Sequence, residues 1–143
     1  MTGKADFTAD EWNLVREGPP AAGLLVLMAS RGGTFRETWA LAKTYAEARQ
    51  QHGESALLDE LVAEKPDMPR YHSQPEAETQ GLQTLREAVA LLAAKATPEE
   101  VEDYKRFTLG VAQRVAEAHK EEGAAVSPDE QQAIDKITAT LNA

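Results

Sequence analysis

The last third of the chain contains two stretches in which apolar residues recur at steps of three and four. The first stretch holds Val101, Tyr104, Phe107 or Thr108, Val111, Val115 and Ala118, and the second holds Ile134, Ile137 and Leu141. Such spacing puts each set on one face of an α-helix, and an apolar face has to be buried against a neighbour. The pattern therefore predicts two helices across residues 109–141 that pack together and that the rest of the chain covers.

Both of these helices have clear start signals. Thr97 supplies a hydroxyl N-cap, Pro98 suits the first turn, and Glu100 completes a capping box. Ser127 and Glu130 repeat this arrangement thirty residues later. An acidic turn at residues 121–123 is expected between the two helices.

Similar signals upstream predict five further helices. Thr8 and Glu11 open a short helix that is expected to end in a corner near Gly18, Pro19 and Pro20. The apolar run 21–29 is expected to form a central buried helix, and further helices are expected over 34–52, 54–65 and 76–95. Residues 66–75 contain three prolines and no periodicity, which predicts an irregular connection. The predicted fold is all-α, a bundle of about seven helices.

Size and charge narrow the class of protein. A chain of 143 residues with 42% hydrophobic residues is long enough for one domain over 1–143 with a real core. Its net charge of −9 opposes phosphate backbones, so nucleic-acid binding is not expected.

The run 21–29 is far shorter than the roughly 20 residues that span a bilayer, so membrane insertion is not expected either. The chain has no cysteine, and its N-terminus lacks the apolar core of a signal peptide, which favours a cytoplasmic protein.

Some of these motifs resemble known families. Phe7, Thr8, Glu11 and Trp12, with a proline pair and an apolar helix after them, resemble a family of uncharacterised bacterial proteins of similar length. The second half, with Val126, Ser127 and Glu130 after an acidic-glycine turn, is similar to TerB-like (tellurite-resistance) helical proteins. The same signals recur in 21–45 and 111–141, as two related helical hairpins of the TerB-like kind would require. The alternative is that any antiparallel helix pair shows these signals, because capping boxes are common helix starts.

The TerB-like resemblance also implies a metal site and a link to stress or tellurite response. The acidic turn here offers Glu121, Glu122 and Glu130 as ligands for a divalent cation such as calcium, which binds carboxylate oxygens. The chain departs from the family turn, because Glu122 and Gly123 replace the Asp-Gly step and two alanines precede Val126. The alternative is that Glu130 is only a capping residue and that the other two glutamates are solvated.

The sequence contains no signature of a catalytic site, such as Gly-x-Ser-x-Gly or HExxH, so a non-enzymatic protein is predicted. Arg70 and Tyr71 in the irregular connection are residue types that are favoured at interfaces, and they are predicted to contact a partner segment. The preferred function is a stress-associated or protein-interaction module that binds a protein partner or forms a homodimer. The alternatives are a metal- or small-ligand-binding protein that uses the acidic turn, and an enzyme without a recognisable motif.

Overall fold

The computed structural model describes residues 3–29, 35–51, 55–64, 66, 69, 71–121 and 128–142, without the side chains of 35–39 and 119–121. These residues form helices and no strand, so the all-α prediction is confirmed for this part of the chain. A 3-10 turn at Lys4–Asp6 precedes helices α1 (Ala9–Ala29), α2 (Phe35–Gln50), α3 (Ala56–Ala63), α4 (Gln74–Lys95), α5 (Pro98–Glu121) and α6 (Pro128–Leu141).

Helix α1 shows that the predicted corner at Gly18, Pro19 and Pro20 is wrong. The helix runs unbroken from Ala9 to Ala29 with both prolines buried inside it, which is why six helices replace the expected seven in the described residues. Pro19 has no N–H, so the carbonyl of Val15 one turn earlier loses its usual donor. The buried hydroxyl of Tyr104 on α5 donates to that carbonyl at 2.8 Å. A side chain from α5 thus replaces the hydrogen bond that the proline removes.

Glycine residues let α1 approach its neighbours closely. A Cβ atom added at Gly18 would overlap the Tyr104 hydroxyl, and one added at Gly23 would lie 3.2 Å from a Val111 methyl group on α5. In α4, a Cβ atom at Gly81 would lie 3.1 Å from Leu25. Helices α4 and α5 therefore pack against α1 so closely that a side chain at Gly18 overlaps Tyr104, and one at Gly23 or Gly81 requires a neighbouring side chain to shift.

The buried side chains of the described residues form three clusters. The first joins α1, α4, α5 and α6 and contains Ala22, Leu25, Val26, Ala77, Leu85, Ala112, Val115, Ala116, Ile137 and Leu141. The second joins α1, α3, α4 and α5 and contains Trp12, Val15, Leu57, Leu61, Ala88, Leu92, Val101 and Tyr104. The third, under α2, contains Leu41, Tyr45, Val62 and Val111. The run 21–29 is almost entirely buried, as predicted, because α1 lies between α4 and α5.

Two of the predicted capping boxes are present. Thr8 and Glu11 exchange hydrogen bonds of 2.8 and 3.2 Å at the start of α1. Thr97 and Glu100 do the same at 3.1 and 3.2 Å at the start of α5. The box assigned to Ser127 falls outside the described residues, and the relation between two TerB-like hairpins stays a prediction.

Candidate functional site

A groove lies between α2, the start of α3 and α5, and we refer to it as the α2–α5 groove. Its volume is about 370 Å³. It is lined by Thr44, Glu47, Ala48, Gln51, Ser55, Leu58, Asp103, Arg106, Phe107, Gly110 and Arg114. The residues from α2 and α5 each recur at steps of three and four, so each helix contributes one continuous stripe to a wall of the groove.

The floor of the groove rests on the cluster under α2. The ring of Phe107 is half-buried and meets the buried ring of Tyr45 edge-on, with their centroids 5.3 Å apart. Edge-to-face contact is a favourable arrangement for two aromatic rings. Phe107 therefore gives the groove a fixed apolar base.

Charged pairs flank this base. The Arg114 Nη2 atom lies 2.5 Å from Glu47 Oε2, which joins α5 to α2. One guanidinium nitrogen of Arg106, Nη1, lies 3.3 Å from Asp103 Oδ1 on the same helix. In both pairs the arginine is the more exposed partner: Arg106 is 77% exposed against 29% for Asp103, and Arg114 is 44% exposed against 38% for Glu47. The Arg106 guanidinium is thus the charged group most open to solvent, whereas Arg114 and Glu47 are almost equally exposed.

Gly110 lies midway between the two arginines, four residues from each along α5. A Cβ atom added here would have no heavy atom within 4 Å. Glycine inside a helix costs about 1 kcal/mol relative to alanine, because it loses more backbone entropy on folding. No packing contact in the described residues accounts for this glycine, in contrast to Gly18, Gly23 and Gly81.

A separate cluster of polar groups holds the end of α3 that is distant from the groove. The Glu64 carboxylate accepts hydrogen bonds from Trp12 Nε1 at 2.9 Å and Lys4 Nζ at 3.0 Å, and it lies 3.0 Å from Arg16 Nε. The indole hydrogen bond, followed by those cations, lowers the pKa of Glu64 below its usual value. Glu60 on α3 also accepts a hydrogen bond from the backbone N–H of Lys4. These contacts tie α3 to α1 and to the 3-10 turn.

The predicted metal ligands are only partly described. Glu130 is fully buried at the start of α6, whereas its neighbour Asp129 is exposed. The side chain of Glu121 and the whole of Glu122 fall outside the described residues. Within the described part of the chain, no three acidic or histidine side chains are grouped so that they could hold a metal ion. The calcium site at the acidic turn therefore stays a prediction.

Of the two residues predicted to contact a partner, Arg70 and Tyr71, the structure describes only one. Arg70 falls outside the described residues. Tyr71 is half-buried and packs against the first core cluster, and this burial raises the pKa of its phenol. Part of the ring therefore has a structural role, and its contact with a partner stays a prediction.

Sequence reasoning did not identify the α2–α5 groove. Its walls come from residues about 60 positions apart, and each wall alone looks like an ordinary solvated helix face. One local signal was available: Arg106, Gly110 and Arg114 repeat every four residues, with a glycine inside an otherwise strong helix.

Comparisons with protein-family models, curated proteins and solved structures gave no match for this chain. The helices described in the structure include none that combines the length and apolar character needed to cross a membrane.

Proposed function

We propose that this chain is a non-enzymatic protein-interaction module that binds a helical segment of a partner protein in the α2–α5 groove. We further propose that it acts in the bacterial cytoplasm in a stress-associated role, as the TerB-like resemblance implies. The observation that carries the docking proposal is Gly110, which leaves the α5 wall of the groove without a side chain at a cost in helix stability that no described contact explains.

The dimensions of the groove favour the side chains of a helix. The α5 wall from Asp103 to Arg114 covers eleven steps, or about 16 Å at 1.5 Å per residue, which is three helical turns. A whole helix is roughly 10–12 Å wide, so a space of about 370 Å³ admits only the side chains on one of its faces. Helices that dock in this way insert residues spaced at i, i+3 or i+4, and i+7.

The lining also favours a protein over a buried small molecule. Small-ligand pockets are lined mainly by apolar groups and enclose most of the ligand. The α2–α5 groove has a narrow apolar base at Phe107 and Leu58, and charged pairs stand on its walls. An apolar centre with a charged rim is the usual composition of a protein interface, where arginine and aromatic residues are enriched.

The proposal is tested by site-specific photo-crosslinking in the native host cell. A photoreactive phenylalanine analogue replaces Gln51, an exposed residue that lines the groove, and in a control variant it replaces Ala94, which is exposed on α4. We expect one discrete adduct from position 51, with its crosslink mapped by mass spectrometry to an amphipathic helix of the partner. The absence of any adduct that depends on position 51, when the protein is expressed at its natural level, would contradict the proposal.

A further inference from the structure

The charges around Gly110 identify the chemistry of the helix that the groove accepts. We infer that the partner segment is acidic, with two carboxylates placed to bind Arg106 and Arg114 and one apolar side chain between them over Gly110. This inference rests on the proposed docking function and deepens it.

The two guanidinium groups have unused capacity for hydrogen bonding. A guanidinium carries five N–H donors, and the ion pairs with Asp103 and Glu47 each involve a single nitrogen of the arginine. Both arginines are also the more exposed members of their pairs. A carboxylate that arrives from solvent can therefore bind the outer side of each guanidinium in the two-point geometry that arginine favours.

The spacing of the arginines sets the spacing of the partner's acids. Arg106 and Arg114 are eight residues apart on one helix, or about 12 Å along its axis. A helix lying along the groove covers the same distance in seven or eight residues. Its acidic residues therefore belong at positions i and i+7 or i+8, and its apolar residue belongs at i+3 or i+4, opposite Gly110 and above the ring of Phe107.

The overall charge of the chain makes this pairing selective. A net charge of −9 repels acidic segments in general, whereas the field of exposed charges is screened beyond roughly 8–10 Å in physiological salt. An acidic helix gains binding free energy only if its carboxylates are in register with the two arginines. Basic segments would be attracted to the whole surface, whereas in the groove Asp103 and Glu47 are already paired with Arg106 and Arg114.

The test is a selection from a displayed library of 14-residue helical peptides, randomised at four positions on one face. Peptides are selected on the wild-type protein and counter-selected on the variant Gly110→Leu. The leucine side chain of this variant occupies the open space beside position 110. We expect the enriched peptides to carry Asp or Glu at two positions seven or eight apart with an apolar residue between them. Their affinity, measured by fluorescence anisotropy, should fall at least about tenfold for Arg106→Gln combined with Arg114→Gln.

Matched variants make each outcome decisive. Arg86→Gln, at an exposed arginine on α4, and Ala94→Leu should leave the affinity unchanged. Peptides that require Gly110 but carry basic or neutral residues at the two positions would overturn the acidic partner and leave the docking function standing. A selection in which no binder is sensitive to Gly110→Leu would overturn both. A cooperative thermal transition with the wild-type helical signal shows that each variant is folded.

Discussion

Gly18 and Gly110 both lie inside long helices, yet their surroundings are opposite. At Gly18, where α1 meets α5, the space that a side chain would take is filled by the Tyr104 hydroxyl. At Gly110, in the α2–α5 groove, the same space is empty. The first glycine is required by the fold, whereas the second weakens its helix and has no packing contact among the described residues. Gly18 thus marks a packing contact inside the protein, whereas Gly110 marks a surface that the described residues leave open.

The largest effect is expected from Gly18→Ala. The added methyl group displaces Tyr104, so the variant combines overpacking with loss of the hydrogen bond to the Val15 carbonyl. We expect the free energy of unfolding to fall by about 2–4 kcal/mol. Urea denaturation followed by circular dichroism measures this change. A loss below about 0.5 kcal/mol would show that Tyr104 moves aside freely and that the α1–α5 contact is not tight.

Tyr104→Phe should have the next largest effect, because it leaves the Val15 carbonyl buried without the donor that replaces the Pro19 N–H. We expect a loss of about 1–3 kcal/mol in unfolding free energy. Tyr45→Phe is the matched control, because Tyr45 is also buried and its hydroxyl has no hydrogen-bond partner among the described residues. That variant should be neutral or slightly stabilising.

A double-mutant cycle tests the link between Tyr104 and Pro19 directly. Pro19→Ala restores an N–H that can bond the Val15 carbonyl within α1. The cost of Tyr104→Phe should therefore be smaller in the Pro19→Ala background than in the wild type. Equal costs in the two backgrounds would show that the Tyr104 hydroxyl does not compensate for the proline.

Gly110→Ala should change stability in the opposite direction from Gly18→Ala. The methyl group enters empty space and the helix gains propensity, so we expect stabilisation by about 0.5–1 kcal/mol in the same urea assay. Destabilisation would mean that the space beside Gly110 is already packed, which would remove the main support for a docking site.

The smallest effect on stability is expected at Glu64, which ties α3 to α1 and to the 3-10 turn. The pKa of Glu64 is lowered in the folded state by Trp12 and by the cations Lys4 and Arg16. A lowered folded pKa means that the charged carboxylate contributes stability above its unfolded pKa of about 4.3, and that this contribution is lost as pH falls through the lower folded value. Glu64→Gln should therefore destabilise the protein more at pH 7 than at pH 3.

Chemical denaturation at the two pH values, followed by circular dichroism, measures this difference. Glu117→Gln, at an exposed position on α5, serves as the control and should show no such dependence. An equal cost of Glu64→Gln at both pH values would show that the carboxylate charge does not hold α3 in place.

Local signals in the sequence predict a helix start correctly where that start depends only on neighbouring residues. Thr8 and Thr97 form their capping boxes as predicted, because each box joins residues three positions apart. The corner at Pro19 was predicted from the same kind of local rule and was wrong, because the compensating donor, Tyr104, lies 89 residues beyond Val15, whose carbonyl it bonds. Burial of Glu130 could likewise be read only from the packing of α6.

By itself, the sequence determined the helical class, most helix starts and the buried character of residues 21–29, since periodicity and capping act within a few residues. Only the tertiary structure decided that α1 continues through two prolines and that α2 and α5 leave an open groove at Gly110. Both outcomes depend on side chains from distant helices that meet in space. The physical reason is that a hydrogen bond or a cavity is a property of the whole packed arrangement, and a single helical stripe does not specify what lies opposite it.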